Sequence, residues 1–281
     1  MWCGGGYAVD NERVTPILPS QENTDDGVEW RELRRAIEES NGAAYEQRMY
    51  EKSVHLYILL KNATEVIEYL EGIKCLLRSE SYSTLDAPNG LASIQLDFSR
   101  KIFNFLASTA MLVDYTRGFM CKYYCETSIM ELYLNLLEDQ VKADPLCVFV
   151  KELRNLSTHV CNPMQIINIK ITKKEVEVKG CFNPDGLLSQ RSGWNSIARG
   201  YINDMRTNPE KISVTGTVGE YIQKIKKLHG DMDELLKQHH QKDISELAEH
   251  RQNYQSKYHS AFGASWPISP IESIVPLMDQ L

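Results

Sequence analysis

Leu91–Glu126 reads LASIQLDFSRKIFNFLASTAMLVDYTRGFMCKYYCE. Its apolar side chains Ile94, Phe98, Ile102, Phe105, Leu106, Met111, Leu112 and Met120 recur at close to the 3.6-residue period of a helix. No proline interrupts the stretch, so it reads as one long helix. Downstream, Ser128–Lys142 continues the helical pattern. Asp144-Pro145 is a start signal, because a proline in the first helical position loses no needed hydrogen bond. The spacing predicts a helix from Pro145 to Val160, ended by Asn162-Pro163. Alternation then replaces the helical period: Ile167, Ile169 and Ile171, then Val176 and Val178, flank the turn Thr172-Lys173-Lys174 and predict a β-hairpin over about residues 165–180. Trp194–Met205 returns to helix, and Val214–Phe262 reads as a long polar helix or two, jointed at Gly230.

Upstream, Trp30, Leu33 and Ile37 give a helix that Asn41-Gly42 stops, followed by a helix over Ala43–Leu60. Asn62-Ala-Thr-Glu65 has capping-box spacing and predicts a third helix reaching Arg78, before the turn cluster of Ser81–Gly90. The expected organisation is an N-terminal arm (1–27), a helical region (28–90), a helical domain carrying the hairpin (91–262) and a proline-rich apolar tail (263–281). Pro267, Pro270 and Pro276 prevent that tail from being a continuous helix. The fold class is mostly α, an antiparallel helical bundle with one inserted β-hairpin.

The 281 residues include 31 basic and 38 acidic side chains, a net charge of −7. No stretch offers the roughly 18 uncharged apolar residues of a membrane span, and Met1–Asp10 lacks the basic start and apolar run of a secretory signal. A cytoplasmic protein without a membrane partner is expected. The seven cysteines are scattered, unlike a disulfide scaffold. Cys121 and Cys125 share a helix face without two further ligands, and neither a metal nor a cofactor is expected. The negative charge argues against bulk coating of nucleic acid, but it is uneven: residues 1–163 carry −8, residues 164–230 carry +5, and residues 231–281 carry −4. A bound polyanion belongs near the middle segment.

That segment follows Glu152-Leu-Arg154-Asn155-Leu-Ser-Thr-His159. At about 100° per residue with Phe149 as zero, Leu146, Val150, Leu153, Leu156 and Val160 share one buried arc. Asn155 falls near about −120° and His159 near about −80°, so the amide can orient the imidazole one turn later. Arg154, near about 140°, reaches the same phosphate only through its length or from a second copy of the helix. A histidine titrating near neutrality can exchange a proton with the 2′-hydroxyl of RNA. A guanidinium can bind two phosphoryl oxygens and stabilise the charge that grows in the transition state. DNA lacks that hydroxyl. Composition alone predicts only about 0.02 occurrences of Arg-Asn-x-x-x-His in a chain like this. The same residues also fit an ordinary helix end, where His159 meets the last carbonyls and Arg154 pairs with a neighbouring acid.

Arg154-Asn155-x-x-x-His159 on a late helix of an all-α bundle resembles the HEPN superfamily, which includes metal-independent endoribonucleases of toxin–antitoxin and antiviral systems. The likeness extends to Ser99-Arg100-Lys101-Ile102-Phe103-Asn104-Phe105-Leu106-Ala107-Ser108, to Val113-Asp114-Tyr115, to Phe149-Val-Lys-Glu-Leu-Arg-Asn155 and to the hairpin, about half the chain. The resemblance implies a homodimer that brings two motif helices together around a composite RNA-cleaving site. It implies Arg154 and His159 as catalytic residues, Asn155 as the residue that orients them, and an antitoxin or defence-system partner protein. Arg100, Asn104 and Asp114 match recurrent polar positions. Val160-Cys161 stands where some members carry a tyrosine for inactivating adenylylation. Other members are non-catalytic binding modules, so a helical interaction or sensor module is the alternative.

Lys151, Lys170, Lys173, Lys174 and Arg100 are the candidate RNA-binding side chains, with Lys179, Lys224, Lys226 and Lys227 adding to the basic segment. A solvated strand and helix face explains them equally well. His229, His239, His240 and His250 lack a metal spacing and read as surface or interhelical residues. Tyr123, Tyr124 and Trp194 read as packing groups rather than base-stacking platforms. Trp266–Leu277 is either a docking peptide or a segment packed on its own bundle.

Overall fold

The long apolar stretch forms one helix, Gly90–Tyr124, in a computed structural model that describes residues 25–79, 90–159, 165–172, 175–208 and 210–262. In chain order the elements are α1 (Asp25–Glu38), α2 (Asn41–Arg78), α3 (Gly90–Tyr124), α4 (Ser128–Leu137, continued by a π-helical turn Glu138–Lys142) and α5 (Pro145–His159). Next come β1 (Gln165–Ile171), β2 (Val176–Phe182), α6 (Pro184–Gln190), α7 (Ser196–Thr207), α8 (Val214–His239) and α9 (Gln241–Phe262). Helix accounts for 83% of the described residues and β1 pairs antiparallel with β2, so the chain is the expected helical bundle with one hairpin. Among the described residues no helix is long and apolar enough to cross a membrane. Residues 1–24 of the N-terminal arm, the Ser81–Asn89 turn, the Asn162-Pro163 stop, the hairpin turn at Lys173-Lys174 and the proline-rich tail lie outside the described residues, while Asp25–Gly27, expected in the arm, open α1.

Two expectations need correction. The break expected between Leu60 and Asn62 does not exist: α2 runs unbroken for 38 residues. Leu56, Leu59, Leu60, Ala63, Val66 and Leu70 are all buried, an apolar stripe that crosses the supposed boundary. Asn62 therefore donates its amide to the Ile58 carbonyl within the helix, at 3.0 Å, while Glu65 pairs with Lys101 of α3. Tertiary burial outweighs a local capping signal, since each such side chain gains about 1.5–3 kcal/mol from leaving water. The helix starts instead at Ser40, whose hydroxyl accepts the Ala43 amide. The second correction concerns the joint between α8 and α9, which falls at His240 rather than Gly230. Gly230 sits exposed within α8.

α2 and α3 form the antiparallel spine. His55 stacks on Tyr115 at one end, Lys101 pairs with Glu65 in the middle, and the Tyr69 hydroxyl reaches the Ile94 carbonyl at the other end. Their facing stripes, together with α5, β2, α7 and α8, share one apolar core. The hairpin lies so close to this spine that a side chain on Gly180 would sit 2.4 Å from the Phe98 ring. Glycine is required there by contact rather than by backbone angle.

A second core gathers Tyr45, Phe119, Met120, Tyr124, Ile129, Tyr133, Met232 and Leu236 around the turn at His240. Tyr124 and His240 Nε2 are 3.0 Å apart, and His240 Nδ1 is 2.7 Å from Asp243 Oδ2. With the aspartate ionised, Nδ1 carries the proton and Nε2 accepts from the tyrosine. This chain of bonds ties α3 to the α8–α9 joint. Beside it, Lys52 of α2 is buried and pairs with Asp233 of α8. Burial lowers the Lys52 pKa, and Asp233 opposes that shift.

His229 of α8 is also buried, with its Nδ1 unpartnered among the described residues. Burial, reinforced by the charge of Lys52 across the interface, holds its pKa well below the usual histidine value. The folded pKa is depressed, so this contribution to stability is complete above about pH 6.5 and is lost as pH falls through the folded value. His229→Gln is therefore expected to shift the acid-unfolding midpoint, followed by helical circular dichroism, to lower pH. An unchanged midpoint would place the acid sensitivity elsewhere.

Candidate functional site

The start of α5 is fixed by Asp144. Its Oδ1 accepts the Cys147 amide at 2.9 Å and its Oδ2 accepts Lys224 of α8 at 2.8 Å. Burial works against ionisation of Asp144, but the Lys224 and Cys147 bonds prevail and hold its pKa below the usual value. Leu146, Phe149, Val150, Leu153 and Leu156 are buried, as the arc predicts, and Cys147 and Val148 are buried as well. The first turns are therefore enclosed on every side. Burial, followed by the nearby Asp144 charge, pushes the Cys147 thiol up to about 12, so it is an inert core group. Beyond Val150 the helix emerges, and its polar side chains become accessible in its last two turns.

Arg154 is half-buried and has no acidic partner among the described residues. Its charge acts on the buried Tyr221 of α8. Burial raises the Tyr221 pKa, Cys147 adds to the rise, and Arg154 opposes it. The ion pair expected of an ordinary helix end is not what Arg154 makes. Its carbonyl accepts the hydroxyls of Ser157 and Thr158, at 2.8 and 2.7 Å. Asn155 is half-buried on the other side of the helix. His159 is the final residue of α5, one turn beyond Asn155, and its side chain lies outside the described residues. Arg154 and Asn155–His159 thus occupy opposite shoulders of one helix.

The other candidates do not gather here. Arg100 is exposed and pairs with Asp97 at 3.4 Å, while Asp114 pairs with Arg117 at 3.6 Å. Fourteen residues of helix, about 21 Å, separate Arg100 from Asp114. Asn104 instead lines a shallow groove of about 240 Å³ between α2 and α3, with Ile58, Asn62, Ala107, Ser108 and Met111. Lys151 is exposed, one turn before Asn155, and Lys170 is exposed on β1 opposite Glu177. Lys173 and Lys174 lie outside the described residues.

Many cations of the middle segment are ion-paired, some with its own acids and others with acids outside it. Lys179 pairs with Glu177, Lys211 with Asp204, Lys224 with Asp144, Lys227 with Asp231 and Arg206 with Asp185. Tyr123, Tyr124 and Trp194 serve in packing: the tyrosines join Phe119, and Trp194 is buried against Phe149 with its indole N–H on the Leu187 carbonyl. Among the four histidines, His229 and His240 are interhelical, His239 is exposed, and His250 lies beside Glu246.

Sequence reasoning missed Arg191. It sits between α6 and α7, over the Trp194 ring, and its Nη1 is 2.8 Å from Glu152 Oε2 on α5. Thirty-nine residues separate the partners, and neither local period nor motif spacing connects them. Arg191 counted only as one charge in the basic segment.

Comparison with protein-family models, curated proteins and solved structures finds no match to this chain.

Proposed function

We propose that the protein is a metal-independent endoribonuclease of the toxin or antiviral type suggested by the HEPN resemblance, with Arg154 and His159 as catalytic residues and Asn155 orienting the histidine. The observation that carries this reading is Arg154 itself, a half-buried guanidinium without an acidic partner among the described residues, on the same helix as His159. A cation that is neither paired nor free in solvent is prepared for an anionic ligand. In the proposed reaction, His159 takes the proton of the 2′-hydroxyl, the 2′-oxygen attacks phosphorus, and the bond to the 5′-oxygen breaks as that oxygen takes a proton from water, the hydroxide so formed being neutralised by the proton that His159 gives up. Arg154 stabilises the charge on the non-bridging oxygens. The products are a 2′,3′-cyclic phosphate and a 5′-hydroxyl.

Because Arg154 and His159 stand on opposite shoulders of α5, the site is proposed to form between two copies of the chain, each supplying one shoulder. Lys151 and Lys170 would contact neighbouring phosphates, and an antitoxin or defence-system protein would restrain the activity. The test is incubation of the purified protein with RNA and with DNA of the same sequence in excess chelator. RNA alone is expected to be cut. Equal cutting of both, or cutting that the chelator abolishes, would contradict the reading.

The groove between α2 and α3 favours a second reading, a non-catalytic helical interaction module. That reading predicts capture of a protein partner with RNA left intact, and groove substitutions such as Asn104→Arg would abolish the capture.

A further inference from the structure

Glu152, Asn155 and His159 are spaced i, i+3 and i+7, so they line one stripe of α5. The cation delivered to that stripe within the same chain is Arg191, not Arg154. The approach of Arg191 is fixed from three sides. Its Nη1 lies in ion-pair contact 2.8 Å from Glu152 Oε2 and donates to the Glu152 carbonyl at 3.5 Å. Its guanidinium lies 5.8 Å from the centre of the Trp194 ring, and Trp194 is itself pinned to the Leu187 carbonyl. All of these contacts leave Nε and Nη2 without a partner among the described residues. The Arg191 side chain remains 27% exposed and Glu152 only 12%, so the carboxylate lies beneath and the guanidinium faces out.

We propose that Arg191 is a phosphate-binding residue on the stripe that Glu152 opens, held there by Glu152, so that each copy of α5 carries a cation of its own about two turns before His159. The ligand class is a phosphate or phosphodiester, gripped through the Nε and Nη2 edge of the planar guanidinium. The inference deepens the ribonuclease reading by giving the stripe a second phosphate contact, but its anion-binding content does not depend on cleavage. Glu152 sets the affinity as well as the position. Its carboxylate competes with phosphate for the same guanidinium, so the site is weak towards free phosphate and needs the additional contacts of a polynucleotide. Trp194 stiffens the arrangement without adding charge.

The test titrates the protein with inorganic phosphate while following the arginine Nε–H resonances, with the Arg191 signal identified by its loss in Arg191→Lys. The Arg191 resonance is expected to move with phosphate. Glu152→Gln is expected to lower the phosphate dissociation constant roughly threefold or more, because it removes the competing charge but keeps the shape. A second arm uses a single-stranded oligonucleotide with every 2′-hydroxyl replaced by hydrogen, which binds without being cut. Arg191→Ala is expected to weaken it about tenfold, Arg191→Lys by less, and Lys242→Ala, a control on the exposed face of α9, hardly at all. Weakening in the oligonucleotide arm alone assigns the site to polynucleotide phosphates, and a shift in both arms assigns it to phosphate generally. An Arg191 resonance unmoved by either ligand, or a Glu152→Gln variant that binds no more tightly, would overturn the proposal. Wild-type protein that moves the Arg191 signal but leaves RNA intact would retain this inference and remove the ribonuclease reading instead.

Discussion

Arg154→Ala is expected to lower RNA cleavage at least about a hundredfold while leaving the thermal midpoint close to that of the wild type. The activity loss follows from removing a preorganised donor at the point where phosphoryl charge develops, a change that costs about 10²–10³ in rate where such donors have been removed. The intact fold follows from the surroundings of Arg154. The side chain has no acidic partner among the described residues, so its removal strands no buried carboxylate. Its electrostatic contact is with the buried Tyr221, whose ring remains packed edge-on against Phe105 at 5.9 Å. His159→Ala should be equally inactive. If the site is composite, mixing the two inactive variants restores part of the activity, because one of the two shared sites then receives an intact Arg154 from one chain and an intact His159 from the other. A variant that unfolds, or Arg154→Ala that cuts at the wild-type rate, would show that Arg154 holds structure rather than substrate.

The largest expected effect on stability is at the buried pair of Lys52 and Asp233. Asp233→Ala leaves the Lys52 ammonium enclosed between α2 and α8 without its counter-charge and close enough to the buried His229 to oppose its protonation. Loss of one partner of a buried ion pair costs about 3–5 kcal/mol, and the lower end applies here because Asp233 is itself 44% exposed and screened by water. Lys52→Met should be close to neutral or stabilising, since an apolar side chain of similar length fills the space without the desolvation cost. It should also lessen the depression of the His229 pKa, whose larger cause, burial, stays in place while the smaller one, the Lys52 charge, is gone. Urea unfolding of the two variants checks the contrast. Equal destabilisation by both would mean that the charge pair, and not the enclosed lysine, carries the effect.

The helices were legible where burial and local pattern agree. In α3 the apolar stripe, the absence of proline and the following turn all point the same way, and the structure forms one helix from Gly90 to Tyr124. In α2 the capping-box spacing at Asn62 competes with a buried stripe whose partner, α3, is remote in sequence, and the stripe prevails. The α8–α9 joint illustrates the same limit. Gly230 was the local breaker, but the turn is set at His240 by hydrogen bonding to Tyr124 and Asp243 and by the approach of α2, where a side chain on Gly42 would lie 2.4 Å from the Asp243 carbonyl. No short-range pattern encodes that encounter.

The same holds for the candidate site. The register of Arg154, Asn155 and His159 on α5 followed from helical geometry, and so did the opposite shoulders they occupy. The pairing of Glu152 with Arg191 depends on how the segment between α6 and α7 wraps against α5 through Trp194 and Phe149. That is a tertiary fact with no signature in spacing. The charge partition was legible as a sum but not as a surface, because Lys179 and Lys211 pair within the basic segment while Lys224 and Lys227 pair with Asp144 and Asp231 outside it.

The central claim is that α5 cuts RNA through the RNA's own 2′-hydroxyl, and the most direct measurement is the chemistry of the cut end. An RNA is cleaved in excess chelator and its products are analysed by mass, beside the same RNA carrying a single 2′-deoxy nucleotide at the preferred position. The account predicts a 2′,3′-cyclic phosphate and a 5′-hydroxyl, with no cut at the substituted position. A 5′-phosphate product, or cleavage at the 2′-deoxy nucleotide, would contradict it.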